Sequence, residues 1–229
     1  MAKAAKVIEL AISQIGYEEP NHDNFQKYGE TIDSIYPDYF NGKKNGYDWC
    51  TQFAAWVFLE GYGEDKTLEL LSMPRHNLSA VVKYWYNYMH KAGKIESTPK
   101  PGDLVFFQNS KGLSHIGIVI EVDNERIYTV EGNAGRGNWF VVKNSYKKTD
   151  GYIHSYGRPS YDEGYPKCPF TAISTLNGIS MRNKPYSDGM TIASVKKGAI
   201  VTVEEMAGSS GDFAKISGWV YLPGGFKIE

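Results

Sequence analysis

Two cysteines are all that the 229 residues contain, too few for a disulfide framework or for a structural zinc site built on paired thiolates. Charge of one sign is not in excess either: 25 lysines and arginines meet 26 aspartates and glutamates. A chain so balanced carries no basic footprint, so no nucleic-acid partner is expected. No apolar run approaches the ~18 residues of a membrane span, and the N-terminus lacks the basic-then-apolar order of a signal peptide. Internal repeats and low-complexity tracts are missing as well. What is present is a 41% hydrophobic composition, which excludes wholesale disorder. A chain of this length buries roughly 70% of its unfolded surface without covalent staples. Aromatics are plentiful, with 17 tyrosines and 5 tryptophans available for core packing or for stacking on a ligand.

Hydrophobic periodicity divides the chain. Residues 5–15 read as an amphipathic helix, with Ile8, Ile12 and Ile15 on one face and Gly16 at its C-terminal end. The polar, aromatic stretch from Glu18 to Asn45 is long for a loop, so short helical pieces are expected within it. Residues 50–60 are apolar nearly all round and predict a buried helix. Ser79 is placed to cap another helix running to His90, with Val81, Val82, Trp85 and Met89 facing inward. After Pro99 and Pro101 the pattern changes to short strands at 104–107, 116–120, 126–130, 141–143 and 152–154. Helices followed by consecutive antiparallel strands indicate an α+β domain over residues 1–159. Three prolines (Pro159, Pro166, Pro169) among Gly, Ser and Tyr over 157–169 mark a linker, placed at 160–169. Residues 170–229 hold many short strands and no plausible helix, which reads as a small all-β barrel.

Cys50 opens the buried helix, directly after Asp48 and Trp49. A thiol there sits at the positive end of the helix dipole, which favours the nucleophilic thiolate; a small buried cysteine is the plainer reading. A thiolate needs a base, and of five histidines His115 is the best placed, at the mouth of the most apolar strand. Glu131 or Asn133 ends the next strand, where an oxygen would accept the Nδ1 proton of His115 and favour the imidazolium. Trp49, Trp139 and Phe140 are candidates to line a substrate groove, though packing suits each as well. Asp48, His115 and Glu131 can be imagined as metal ligands. The chain nevertheless has no zinc-protease helix, paired cysteine ligands or acidic calcium loop, so neither a metal nor a cofactor is expected.

Four strings in order, Trp49-Cys50, Pro101-Gly102-Asp103-Leu104-Val105-Phe106-Phe107, Ser114-His115-Ile116-Gly117-Ile118-Val119 and Tyr128-Thr129-Val130-Glu131-Gly132-Asn133, resemble the CHAP family of cysteine, histidine-dependent amidohydrolases and peptidases. The closing Gly157-Arg158-Pro159 looks like the version found in phage lysins and bacterial wall hydrolases. The resemblance implies a papain-like fold acting on bacterial peptidoglycan. It implies Cys50 as nucleophile, His115 as general base and then acid, Glu131 as the group orienting His115, and Asn133 as an assisting polar residue. The backbone N–H of Cys50, with Asp48 or Tyr47 nearby, would stabilise the oxyanion. Residues 170–229 resemble a bacterial SH3-like wall-binding domain, departing from that pattern at Asn183-Lys184-Pro185. A wall hydrolase without a signal peptide is expected to be a phage lysin released from the host cytoplasm, or a mature secreted fragment. A wall-binding protein with a drifted triad and a cysteine acyltransferase are the competing readings.

Overall fold

The computed structural model describes residues 3–161 and, beyond them, 170–174, 177, 179–182, 191–203, 205–207, 213–215, 219–221 and 226–228. The chain divides into two compact units, Ala2–Tyr161 and Asp162–Glu229 with Met1. Cys168, most of the expected linker and the Asn183-Lys184-Pro185 turn lie outside the described residues.

The first unit is α+β. Four helices, α1 (Ala4–Ser13), α2 (Lys27–Ile35), α3 (Cys50–Leu71) and α4 (Val82–Lys91), precede the whole sheet. Six antiparallel strands follow: β1 (Ile95–Glu96), β2 (Leu104–Asn109), β3 (Gly112–Val122), β4 (Arg126–Ala134), β5 (Phe140–Lys147) and β6 (Ile153–Gly157). Their order across the sheet is β1-β6-β2-β3-β4-β5. Because side chains alternate along each strand, the sheet buries both faces. Leu104, Phe106, Ile116, Ile118 and Val130 join the helices in the main core. Val105, Phe107, Val119, Ile127 and Tyr156 form a second cluster.

α3 is helical and buried for the reason its composition implies: Phe53, Ala54, Ala55, Val57, Phe58 and Leu59 are all 1% exposed or less. It continues past the predicted end, with a break at Gly63 (φ 71°), and closes on a left-handed Ser72. α1 turns a different face inward from the one predicted. Val7 and Ala11 are buried, whereas Ile12 and Ile15 are 45% and 41% exposed. The small side of the helix is the one that allows close approach, and Leu10 lies beside Gly61 of α3. Nor does Ser79 cap α4. Its hydroxyl bonds Asn77 Oδ1 and its carbonyl accepts from Trp85 Nε1, so Val81 stands at the N-cap, exposed.

Two of the sequence strings meet in space. The Arg158 guanidinium donates from Nε and Nη2 to the Asp103 carboxylate at 3.1 and 2.9 Å, and Nη2 also reaches the Thr98 carbonyl at 2.8 Å. Asp103 is 1% exposed; burial pushes its carboxyl up, against the pull of Arg158. Removing one partner of such a pair strands a buried charge. Arg158→Met is therefore expected to destabilise the unit by about 3 kcal/mol, measured as a lower urea midpoint at unchanged slope. Ser160 and Tyr161, within the expected linker, are tied to this unit by Ser160 N to Leu70 O at 3.0 Å and Tyr161 Oη to Gly102 O at 2.8 Å.

The second unit contains, among its described residues, eight short strands: β7 (Phe170–Ser174), β8 (Ile179–Arg182), β9 (Thr191–Val195), β10 (Ile200–Val203), β11 (Glu205–Ala207), β12 (Phe213–Lys215), β13 (Trp219–Tyr221) and β14 (Phe226–Ile228). They form two antiparallel sheets, ordered β10-β7-β14 and β11-β12-β13-β8-β9.

Candidate active site

Cys50 is the first residue of α3, and the backbone before it is fixed by a buried amide. Gln52 Nε2 donates to the carbonyls of Tyr47 and Asp48 at 3.3 and 3.2 Å, while its Oε1 accepts from Gln26 Nε2 at 3.1 Å. Trp49 at the N-cap offers the helix no side-chain acceptor, so the first-turn amides keep their positive end for whatever lies beside the thiol. The sheet is brought to this helix end by Gly132. A Cβ there would stand 2.5 Å from Phe53 Cβ and 2.7 Å from the Trp49 ring, so only glycine lets β4 approach α3 so closely. Glu131 and Asn133, on either side of Gly132, are thereby carried to the nucleophile.

His115 lies on β3 between the two. Its Nε2 is 3.0 Å from Glu131 Oε2, and its ring lines the same cleft as Cys50, which acts to raise it. With Nε2 engaged by Glu131, Nδ1 is the nitrogen left for the thiol, the reverse of the orientation expected from sequence. Glu131 packs beside Gly117, two residues along β3 on the same face as His115, so the outer ring nitrogen is the one that reaches it. Burial is the largest single influence on His115 and opposes its charge. Cys50 and Glu131 together outweigh it and raise the imidazole from 6.5 to about 10.

Glu131 is 2% exposed and held by several donors. Oε1 accepts from Thr129 Oγ1 at 2.5 Å; Oε2 accepts from Asn144 Nδ2 at 3.1 Å and Tyr146 Oη at 3.3 Å as well as facing His115. Burial and the Glu131 charge both raise the Tyr146 hydroxyl, so it stays a donor. Thr129, Asn144, Tyr146 and Gly117 are functional positions that sequence reasoning missed. The signal was the alternation along the strands, which puts Thr129 with Glu131 on β4 and Asn144 with Tyr146 on β5; what it lacked was the register of β4 against β5.

These groups open into a cleft of about 390 Å³. Asn109, Ser114, Asn138 and Tyr152 contribute to its wall along with Asp48 and Asn133. Asn133, in the left-handed region (φ 56°), donates to Asp48 Oδ1 at 3.5 Å and makes no hydrogen bond to His115. The two tryptophans expected at the substrate stand elsewhere. Trp49 is fully buried and donates from Nε1 to Glu19 Oε2 at 2.7 Å, because its indole is part of the core. Trp139 stacks on His22, ring centroids 3.7 Å apart, and packs against Gly137 outside the cleft lining. Among the described residues no three His, Cys, Asp or Glu side chains converge as metal donors, and no helix is long and apolar enough to cross a membrane.

A thiol, an imidazole held protonated and a carboxylate behind it form a unit for nucleophilic acyl chemistry: attack, proton delivery to a leaving group, and deacylation. His115 must carry its proton to serve a leaving amine, so the alkaline limb of kcat/KM should lie near its value of about 10. Glu131→Gln removes one of the two partners that raise it. Partial activity is expected to remain, with the alkaline limb moved to lower pH. A pH profile with the limb unmoved would deny Glu131 this role.

A search of curated proteins finds no match. Among solved structures, "The crystal structure of Ly7917" overlays at 15% identity, covering 96% of this chain and 92% of that one, with a TM-score of 0.37. "The crystal structure of Ly7917 with the hydrolyzing product of MDP" overlays at 16% identity with the same coverages and a TM-score of 0.35. Neither overlay is close enough to define the fold. Residues 42–133, the segment that carries Cys50, His115, Glu131 and Asn133, match the CHAP domain family.

Proposed function

We propose that the protein is a cysteine-dependent hydrolase of peptidoglycan, cutting an amide bond of the stem peptide or cross-bridge. The observation that carries this reading is the convergence of Cys50, His115 and Glu131 on one polar cleft, with His115 hydrogen-bonded to Glu131, within a segment matching the CHAP domain. The Cys50 thiolate adds to the scissile carbonyl carbon, and the first-turn amides of α3 face the oxyanion. His115 gives its proton to the amine nitrogen, the C–N bond breaks, and a thioester remains on Cys50. Water then adds to the thioester as His115 takes its proton; the C–S bond breaks and the peptide leaves as a carboxylic acid.

A thiol, an imidazole bonded to a carboxylate and a shared cleft, all retained, disfavour a wall-binding protein that has lost its chemistry. On the same reading, residues 170–229 form an SH3-like unit that holds the enzyme on the wall. The chain is then a lysin released from the host cytoplasm, or a hydrolase acting after secretion.

The test is digestion of purified peptidoglycans of differing cross-link chemistry, with released fragments identified by mass spectrometry. Fragments with free muramic carboxylates would mark an N-acetylmuramoyl-L-alanine amidase; new peptide amino termini would mark an endopeptidase. Treatment with iodoacetamide beforehand should stop release. Reduced, folded protein that releases nothing from any wall would overturn the proposal.

A further inference from the structure

Charge in the cleft is unevenly matched. Its described lining holds two carboxylates, Asp48 and Glu131, one histidine, and neither lysine nor arginine. Glu131 is buried, faces the imidazolium and receives hydrogen bonds from three neutral donors. Asp48 is exposed, and among the described residues its carboxylate meets only the neutral amide of Asn133, at the long distance of 3.5 Å. The rest of the polar wall is amide and hydroxyl. Asp48 also stands two residues before the nucleophile. Its backbone is held by Gln52, so the carboxylate is presented from a fixed carbonyl rather than from a loose loop.

We infer that Asp48 is a specificity residue that takes an ammonium group of the substrate, borne by a diamino-acid side chain or a free peptide amino terminus close to the scissile amide. The inference rests on the hydrolase reading above and names what that site selects. A cleft whose one unmatched charge is negative draws in an ammonium and repels a carboxylate. Asp48 is alternatively a helix N-terminal carboxylate stabilising α3, a role that changes stability and leaves substrate choice alone.

The experiment compares soluble wall fragments bearing free amines with the same fragments fully N-acetylated, using wild type, Asp48→Asn and Asp48→Glu. Fragments acetylated only on side-chain amines, or only on α-amines, separate the two sources of the ammonium. For wild type, acetylation is expected to lower kcat/KM about tenfold, mostly through KM. Asp48→Asn should cleave both forms at rates within twofold of each other, and Asp48→Glu should keep the preference for free amines. Circular dichroism checks that each variant is folded. Wild type that cleaves both forms equally, or Asp48→Asn that still prefers free amines, overturns this inference and leaves the hydrolase reading standing. Wild type inert on every fragment removes that reading, and this inference with it.

Discussion

Cys50→Ala is expected to lose hydrolysis by on the order of 10⁴-fold or more while keeping its fold. The thiol is 6% exposed and at the edge of the core, so truncation to alanine removes one sulfur from a position next to an open cleft. Such a loss costs about 1 kcal/mol, and thermal unfolding should move by a few degrees only. A second readout ties the loss to the proposed chemistry. Cys50 raises His115, acting with Glu131 against the burial that lowers it. Taking Cys50 away must therefore let the imidazole titrate at lower pH than in wild type. An NMR titration of the His115 ring measures that shift with no substrate present. A variant that still releases wall fragments at the wild-type rate would remove Cys50 from the mechanism. An unmoved His115 titration would mean that the two groups are not coupled.

Much of this site could be read along the chain, although His115 and Glu131 lie within β3 and β4, which begin earlier (Gly112) and run on further (Ala134) than the predicted strands. Cys50 is marked by a polar segment giving way to an all-apolar helix, and His115 and Glu131 by the apolar runs at 116–120 and 127–130 that adjoin them. What could not be read is what depends on pairing between distant segments. Thr129, Asn144 and Tyr146 look like ordinary strand residues until the register of β4 and β5 aligns them on Glu131. The imidazole orientation fails for the same reason, since it is set by where Glu131 packs across the sheet. Trp49 fails for another: adjacency to a nucleophile in sequence says nothing of direction, and this indole turns into the core toward Glu19. Among helices, composition located α3, but periodicity misjudged α1. Its inward face is chosen by the close approach of α3 at Gly61 rather than by the largest apolar residues.

The second large effect concerns a residue with no side chain. Gly117→Ala is expected to lower kcat by roughly 10²-fold, though alanine suits a strand better than glycine. The added methyl would stand 2.7 Å from Glu131 Cγ and 3.3 Å from Val105 Cγ1. Val105 belongs to the second core cluster and has little room to move. Glu131 must give way, and its carboxylate then leaves the position 3.0 Å from His115 Nε2. The imidazole loses both its orientation and one support of its raised value, so the alkaline limb of the pH profile should fall as it does for Glu131→Gln. A merely structural defect predicts something else: lower stability with an unchanged limb. The two are separated by a double-mutant cycle, because the clash needs the Glu131 side chain. In a Glu131→Ala background the methyl meets no carboxylate, and Gly117→Ala should cost less than threefold in kcat. If it costs as much there as in wild type, Gly117 acts on the fold and not on the Glu131–His115 contact.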